Sequence, residues 1–547
     1  MATLAASAGL ARGQATTNES ARATDGRPAP AAERFTGTEH LDHWWQDATF
    51  YHIFVRSFAD STDGPLANDG VGDIRGMIER LDYLNDGDPS TTTDLGVTGI
   101  WLMPIMQSPS YHGYDTVDYR LIDDEYGTNA DFQAFIAECE KRGIRVILDL
   151  VLNHSSSDHE WFQASLDPES EYRDFYVWLD EDPGWGGPWG QDVWHEADMK
   201  GGASDGSVFY GLFWHGMPDL NYRTQAVTDA VFDLSRFWLE DMGAHGFRLD
   251  AIRHLVEDGP VQENTPETHA WLRDYQSFLR SVDPEVLTVG EVWADSDAVS
   301  RYVGDQMDIA FEFDLGYRLV DAVREGRAEP MVTQLKRIDE LYPLGMYATF
   351  LRNHDQTRVL TEFNGDRDSA ALAATIQFAL PGVPFIYYGE EIGMAANKPD
   401  PELRTPMQWT SDVRTAGFTT AEPWKAPKPD TATINVEAQQ GDSDSMLDLY
   451  QRLIRVRNET PALRSGTLEL VETGHDGVLA FTRELDGSRY LCLFNLTPFA
   501  VDGRMLRTNR GFTPARELLH DAPLTRRSDG PIRTLEPKTG YVIELTN

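Results

Sequence analysis

The sequence predicts an α/β protein: a (β/α)8 TIM barrel with a domain inserted after the third strand and an antiparallel β domain at the carboxyl end. Three observations carry this. Eight short apolar runs of strand character alternate with helical patterns between residues 49 and 388. Three of those runs stop on an acidic residue, Asp250, Glu291 and Asp355, and the carboxyl ends of the strands are where a barrel keeps its chemistry. Beyond residue 459 the period changes to alternating strands separated by turn residues.

In chain order, residues 1–38 are rich in Ala, Thr, Ser, Gly and Pro without periodicity and read as a disordered leader and linker. Met1 to Ala15 has some export-signal character, with small residues at Gly13-Gln14-Ala15, but a weak apolar core and no basic start. The expected location is extracellular or exported, with the cytoplasm as the alternative. The barrel is expected over 39–154 and 222–459, with strands at 49–54, 98–102, 145–150, 246–249, 287–292, 309–313, 347–351 and 383–388. Helices are expected at 74–84, 130–142, 227–242, 271–282, 331–341, 369–380 and 446–458. The connection after the third strand is disproportionate and rich in Trp, Gly, Asp and Pro, so 155–221 reads as the inserted domain. Residues 460–547 read as a C-terminal β-sandwich.

Composition narrows the partners. The formal charge of -42 excludes nucleic acid, whose phosphates need Lys and Arg. Seven of the 47 basic residues are Lys. Dense carboxylates with scarce Lys fit a salt-adapted surface, and an ordinary acidic secreted enzyme fits equally. No apolar run reaches the roughly 20 residues that span a bilayer. Cys139 and Cys492 match no metal spacing and read as buried thiols. A monomer is expected.

Acidic groups at several strand ends suit acid-base or nucleophilic work on a neutral, polar substrate. Two carboxyls across a short gap can cleave a glycosidic bond, one attacking the anomeric carbon and the other protonating the leaving oxygen. Arg248 lies two residues before Asp250, so on a strand it shares that face and can hold the carboxyl ionised. Glu291 needs a raised pKa to start protonated, and Trp293 is its apolar neighbour in sequence. Trp185, Trp189, Trp194 and Trp214 of the inserted segment divide between a small core and a wall against which sugar C–H faces pack, about half in each role.

Several short motifs stand in order at these strand ends: Tyr111-His-Gly-Tyr-Asp115, Asp149-Leu-Val-Leu-Asn153-His154, Met217-Pro-Asp-Leu-Asn221, Gly246 to His254, Glu291-Val-Trp293, Arg352-Asn-His-Asp355 and Arg404-Thr-Pro-Met-Gln-Trp409. Together they resemble the α-amylase superfamily of glycoside hydrolases, over about residues 44–547, and within it the group intermediate between oligo-1,6-glucosidases and neopullulanases. The resemblance implies Asp250 as nucleophile, Glu291 as general acid/base and Asp355 as the carboxylate that stabilises the transition state. It implies substrate contacts from Tyr114, Asp115, His154, Arg248, Arg253, His254, His354 and Arg404. Asp115 and Arg404 are expected to pair on a terminal glucose, and Arg253 and His254 to bind the leaving-side sugar. It also implies a calcium loop after the first strand, with Asp60, Asp69, the Val71 carbonyl and Asp73 as ligands, although about six extra residues separate Asp60 from the rest. Asn153 is a further oxygen that a second calcium could use. The implied activity is retaining hydrolysis of α-1,4-glucosidic bonds in starch or maltooligosaccharides, followed by α-glucosidase and trehalose synthase as alternatives.

Overall fold

The structure, a computed structural model, describes residues 43–197, 206–506, 512–520, 522–524 and 532–546. The expected leader lies outside them. Eight parallel strands form the central sheet: β1 (Phe50–Ile53), β2 (Gly99–Leu102), β3 (Arg145–Leu150), β4 (Gly246–Leu249), β5 (Leu287–Gly290), β6 (Ile309–Ala310), β7 (Ala348–Phe350) and β8 (Val383–Tyr387). Their order is β6-β5-β4-β3-β2-β1-β8-β7. A parallel bridge between Phe311 and Ala348 closes the remaining gap into a barrel. All eight expected strands are therefore present. β6 is the shortest, because Phe313 already opens a helix, Phe313–Glu325.

Side chains alternate across each strand, so one face of the sheet fills the barrel and the other meets the helices. The interior is packed with Phe50, Trp101, Ile147, Val289, Phe311, Phe350 and Phe385, all buried. The outward faces join a larger core with the surrounding helices. Gly246 begins β4 because β5 runs against it there. A Cβ at that position would lie 2.1 Å from the Leu287 carbonyl oxygen.

The helices depart from expectation at their ends. The pattern at 74–84 is two short helices, Ile74–Glu79 and Leu81–Leu84, broken at Arg80 (φ -108°, ψ 4°). The helix expected from 271 starts earlier, as Pro266–Val282, with the Thr265 hydroxyl accepting from the Thr268 N–H. The pattern at 227–242 is an α-helix, Gln225–Arg236, that continues as a π-turn, Phe237–Asp241.

The inserted domain is a three-stranded antiparallel sheet (Trp178–Leu179, Trp194–Glu196 and Val208–Tyr210) over a core of Val193, Trp194, Val208, Tyr210 and Leu212. A bridge between His154 and Asp219 ties its two ends together at the mouth of β3. The C-terminal module is a five-stranded antiparallel sheet of β9 (Thr467–Leu470), β10 (Val478–Leu485), β11 (Ser488–Asn495), β12 (Pro514–Glu517) and β13 (Thr539–Leu545). Asp486 and Gly487, both at positive φ, make the tight turn between β10 and β11. Among the described residues, the second layer of the expected sandwich is a two-stranded ribbon, Val501–Asp502 with Thr534–Leu535.

Two buried arginines join this module to the barrel through carbonyls alone. Arg457 donates to the carbonyls of Phe378, Leu380, Gly382 and Leu463, and Arg483 donates to those of Ala379 and Gly466. They cap the carboxyl end of the helix Arg367–Ala379, where the backbone leaves unpaired oxygens and the helix dipole favours a cation. No helix among the described residues is long and apolar enough to cross a membrane.

Candidate active site

Strand register assembles the centre of the site. Arg248 on β4 lies beside Asp149 on β3 and Val289 on β5, and the interior side of β4 carries Arg248 into the barrel mouth. Its guanidinium is 1% exposed and grips three carboxylates. Nη1 donates to Asp149 Oδ1 at 2.8 Å and to Asp250 Oδ1 at 2.7 Å, and Nη2 lies 2.9 Å from Glu291 Oε2. The i−2 spacing thus put Arg248 where expected, and the structure adds Glu291 to its partners.

The carboxyls are tuned differently. Burial pushes Asp250 up to about 6, with Arg248 opposing and Asp149 adding to the rise. Burial also pushes Glu291 up, to about 7, with Arg248 again opposing and the charges of Asp250 and Asp355 reinforcing the shift. The Trp293 ring stacks on Phe313 at 5.0 Å and is 42% exposed. Asp355 goes the other way. Burial works to raise it, but the hydrogen bond from His354 and the charge of Arg404 hold it well below the carboxylate range. Arg404 Nη2 donates to Asp355 Oδ1 at 2.9 Å, and His354 Nε2 lies 3.1 Å from Oδ2. Burial keeps His354 itself below its ordinary value, with the charge of Asp355 opposing.

These shifts fix the activity window. A nucleophile at Asp250 must be ionised and an acid at Glu291 protonated, so kcat/KM should peak between about pH 6 and 7. It should fall below that window as Asp250 gains a proton and above it as Glu291 loses one. A profile of initial rates in constant-ionic-strength buffers checks this, and a flat plateau from pH 7 to 9 would contradict it.

The other expected residues divide. Tyr114 lies parallel to His354 (5.7 Å, 11°), and its hydroxyl donates to Asp149 at 3.0 Å and meets His354 Nε2 at 2.7 Å. His154 sits 3.0 Å from the Tyr114 carbonyl through Nε2, so it positions Tyr114, and burial lowers it to about 4. His254 Nδ1 meets the Gln262 carbonyl at 2.8 Å, leaving Nε2 to accept from Arg253 Nε at 3.1 Å. Arg253 also donates to the Trp293 carbonyl at 2.5 Å and pairs with Glu263.

One pairing needs correction. Asp115 and Arg404 do not meet. Asp115 accepts from the hydroxyls of Ser108 and Ser110, while Arg404 is drawn to Asp355 and, at 3.7 Å, to Asp400. Two hydroxyls satisfy the buried Asp115, and Asp355 takes the cation. Asp149 and Ala251 were missed as functional positions. Ala251 holds a left-handed φ of 49°, which turns its N–H onto Glu291 Oε2 at 3.0 Å. Strain of this kind persists where surrounding structure enforces it, and nothing in the local sequence announces it.

The carboxylates of the expected calcium loop accept hydrogen bonds from within the protein. Asp60 accepts from the N–H groups of Asn68 and Gly70, both at 2.9 Å, and from the Thr419 hydroxyl at 2.5 Å. Asp73 accepts from the N–H groups of Ser61 and Gly76. Asp69 is exposed and accepts from the Val71 N–H at 2.9 Å. Among the described residues no group of three acidic, His or Cys side chains is placed to hold a metal ion. The Asn153 side chain donates to Asp219 at 2.9 Å. Dialysis against EDTA should leave the melting temperature within about 1 °C, as expected where no bound ion stabilises the fold. A drop of several degrees that calcium restores would reinstate the metal.

Three carboxylates, Asp250, Glu291 and Asp355, stand at the barrel mouth in the segments that follow β4, β5 and β7, as in a glycoside hydrolase. The chain belongs to the α-amylase catalytic-domain family, which residues 52–466 match. It is 37% identical over 460 residues to "Alpha-amylase 3" of Dictyoglomus thermophilum, covering 83% of this chain and 85% of that one. It is 34% identical over 572 residues to "Trehalose synthase" of Pimelobacter sp., covering 92% and 96%. Among solved structures, an α-amylase from H. orenii superposes with a TM-score of 0.81 at 38% identity, covering 91% of this chain and 99% of that one.

Proposed function

We propose that this chain is a retaining α-glucan hydrolase that cleaves α-1,4-glucosidic bonds in starch and maltooligosaccharides. The observation that carries the reading is the sharing of one guanidinium by Asp250 and Glu291 through its two terminal nitrogens. One planar cation brings both carboxyls into a narrow gap, which suits direct attack; an inverting pair leaves room for a water between them.

In the first step an Asp250 carboxylate oxygen attacks the anomeric carbon. The glycosidic bond breaks, and its oxygen takes the Glu291 proton, releasing the shortened glucan. Water then gives a proton to the Glu291 carboxylate and attacks the same carbon, which frees Asp250 and restores the acid. Asp355, held ionised by Arg404, stabilises the positive charge that develops on the ring. Arg248 opposes protonation of both carboxyls, while the charge of anionic Asp250 favours keeping the proton on Glu291.

The α-amylase and trehalose synthase names among the relatives frame the test. Products from soluble starch, maltose and trehalose are followed over time by chromatography. Early maltooligosaccharides from starch, with maltose barely consumed, are expected. Glucose from maltose with starch untouched would move the assignment to an α-glucosidase, and trehalose appearing from maltose would make the chain an isomerase.

A further inference from the structure

Arg404 has two anions within reach. Its guanidinium lies 2.9 Å from Asp355 Oδ1 and 3.7 Å from Asp400 Oδ2. Asp400 opens the short helix Asp400–Leu403, four residues before Arg404, so it travels with the arginine wherever that segment moves. Asp355 belongs to a different loop, the one after β7. An arginine head on a long stem follows its backbone, and which anion it holds therefore depends on how the backbone at Arg404 is fixed.

That backbone is gripped one carbonyl at a time. The Leu403 carbonyl accepts from Arg358 Nε at 3.0 Å and from the Tyr387 hydroxyl at 3.1 Å. The Arg404 carbonyl accepts from the Ser57 hydroxyl at 2.5 Å, and the Thr405 carbonyl from the Tyr388 hydroxyl at 2.7 Å. Trp424 Nε1 donates to Ser57 Oγ at 3.1 Å, which leaves the serine's own hydrogen for Arg404. Arg358 also donates through Nη1 to the Tyr388 carbonyl at 2.7 Å, and its guanidinium carbon lies 4.3 Å and 4.9 Å from the centres of the Tyr387 and Tyr388 rings. Loop carbonyls at a surface ordinarily turn to water. Here three in succession bind four buried side-chain donors, brought in from β8 and from the segments after β1, β7 and β8.

We infer that Ser57 and Tyr388 are positioning residues for the reaction: they hold the Arg404 backbone so that its guanidinium rests on Asp355 in preference to Asp400. Both are 0% exposed, so they act through Arg404 and not on the sugar. With either hydroxyl removed, the segment relaxes, Arg404 divides itself between the two anions, and Asp355 loses part of the cation beside it. The transition state then feels the loss more than the bound substrate does, because the positive charge that Asp355 answers develops only there. This inference rests on the reading above for the role of Asp355.

Initial rates are measured on whichever of starch, maltose and trehalose the wild type consumes. Ser57→Ala and Tyr388→Phe are tested alone, with Arg404→Met and with Asp400→Asn. Each single variant should lose about three- to tenfold in kcat, the span of one buried hydrogen bond, with KM within about twofold of wild type. The loss should vanish in the Arg404→Met background, where no guanidinium is left to position. Asp400→Asn should return most of it, because the competing anion is gone. Tyr275→Phe, which removes a buried hydroxyl bonded to Ser235 between two outer helices, should leave kcat unchanged. Equal losses with and without Arg404, no loss in either single variant, or no recovery with Asp400→Asn would overturn the clasp. If the wild type consumes none of the three sugars, the glucan reading falls and the clasp is decided by melting temperatures: non-additive shifts for Tyr388→Phe with Arg404→Met support it, and additive ones overturn it.

Discussion

Asp250→Asn should lower kcat on starch by a factor on the order of 10⁴ or more while the protein stays folded. The carboxamide matches the carboxylate in size, and its oxygen can still accept from Arg248 Nη1, where Asp250 Oδ1 now sits at 2.7 Å. Asp149 and Glu291 continue to compensate the buried guanidinium, so the cation is not stranded. What disappears is the atom that bonds to the anomeric carbon. The variant should unfold within a few degrees of wild type by circular dichroism, the margin expected for about 1 kcal/mol. Wild-type-like turnover at unchanged stability would remove Asp250 as the nucleophile.

Glu291→Ala should have the next largest effect, and one that depends on the leaving group. Starch departs as an alkoxide unless it is protonated, so kcat should fall on the order of 10²–10⁴. α-Glucosyl fluoride needs no proton to lose fluoride, so its cleavage should suffer far less, with the glucosyl-enzyme accumulating. Azide, which also needs no general base, should then attack the intermediate, displace Asp250 and release α-glucosyl azide. The anomer is the decisive readout. β-Glucosyl azide, or no rescue together with equal losses on both substrates, would argue against Glu291 as the acid/base of a retaining pair.

How much of this was legible depended on how far apart the interacting residues lie in sequence. The eight strands were readable because each is a short buried run whose signal is wholly local. Asp250 and Glu291 were readable because each follows directly on its strand, whereas Asp355 lies beyond the end of β7 in the loop that follows it. Arg248 was placed by its two-residue offset from Asp250, again a local rule. Arg404 was given the wrong partner because its real one, Asp355, comes from another loop, and the closeness of two loops at a barrel mouth is a tertiary fact. Asp149 acquires its meaning only when β3 and β4 pair in the observed register. The calcium loop is a different case. Its residue types match a metal-binding pattern, and Asp60 also accepts from backbone N–H groups and from Thr419, a partner from far down the chain that no local pattern announces. The start of the helix Pro266–Val282 was missed although Thr265 and Pro266 are ordinary start signals, because the apolar period begins only at Trp271.

Two buried arginines at the seam between the barrel and the C-terminal module bear on the order in which parts fail as acidity rises. Arg457 and Arg483 bind oxygens that take up no protons in this range, and both remain cationic at every acidic pH. Mild acid therefore silences Asp250 first, while the two halves stay docked. Activity lost between about pH 6 and 5 should return in full on neutralisation, without a refolding lag, because protonating a carboxyl is reversible whereas separating the halves would expose apolar core. The enzyme's acid limit is then a chemical switch rather than a structural collapse.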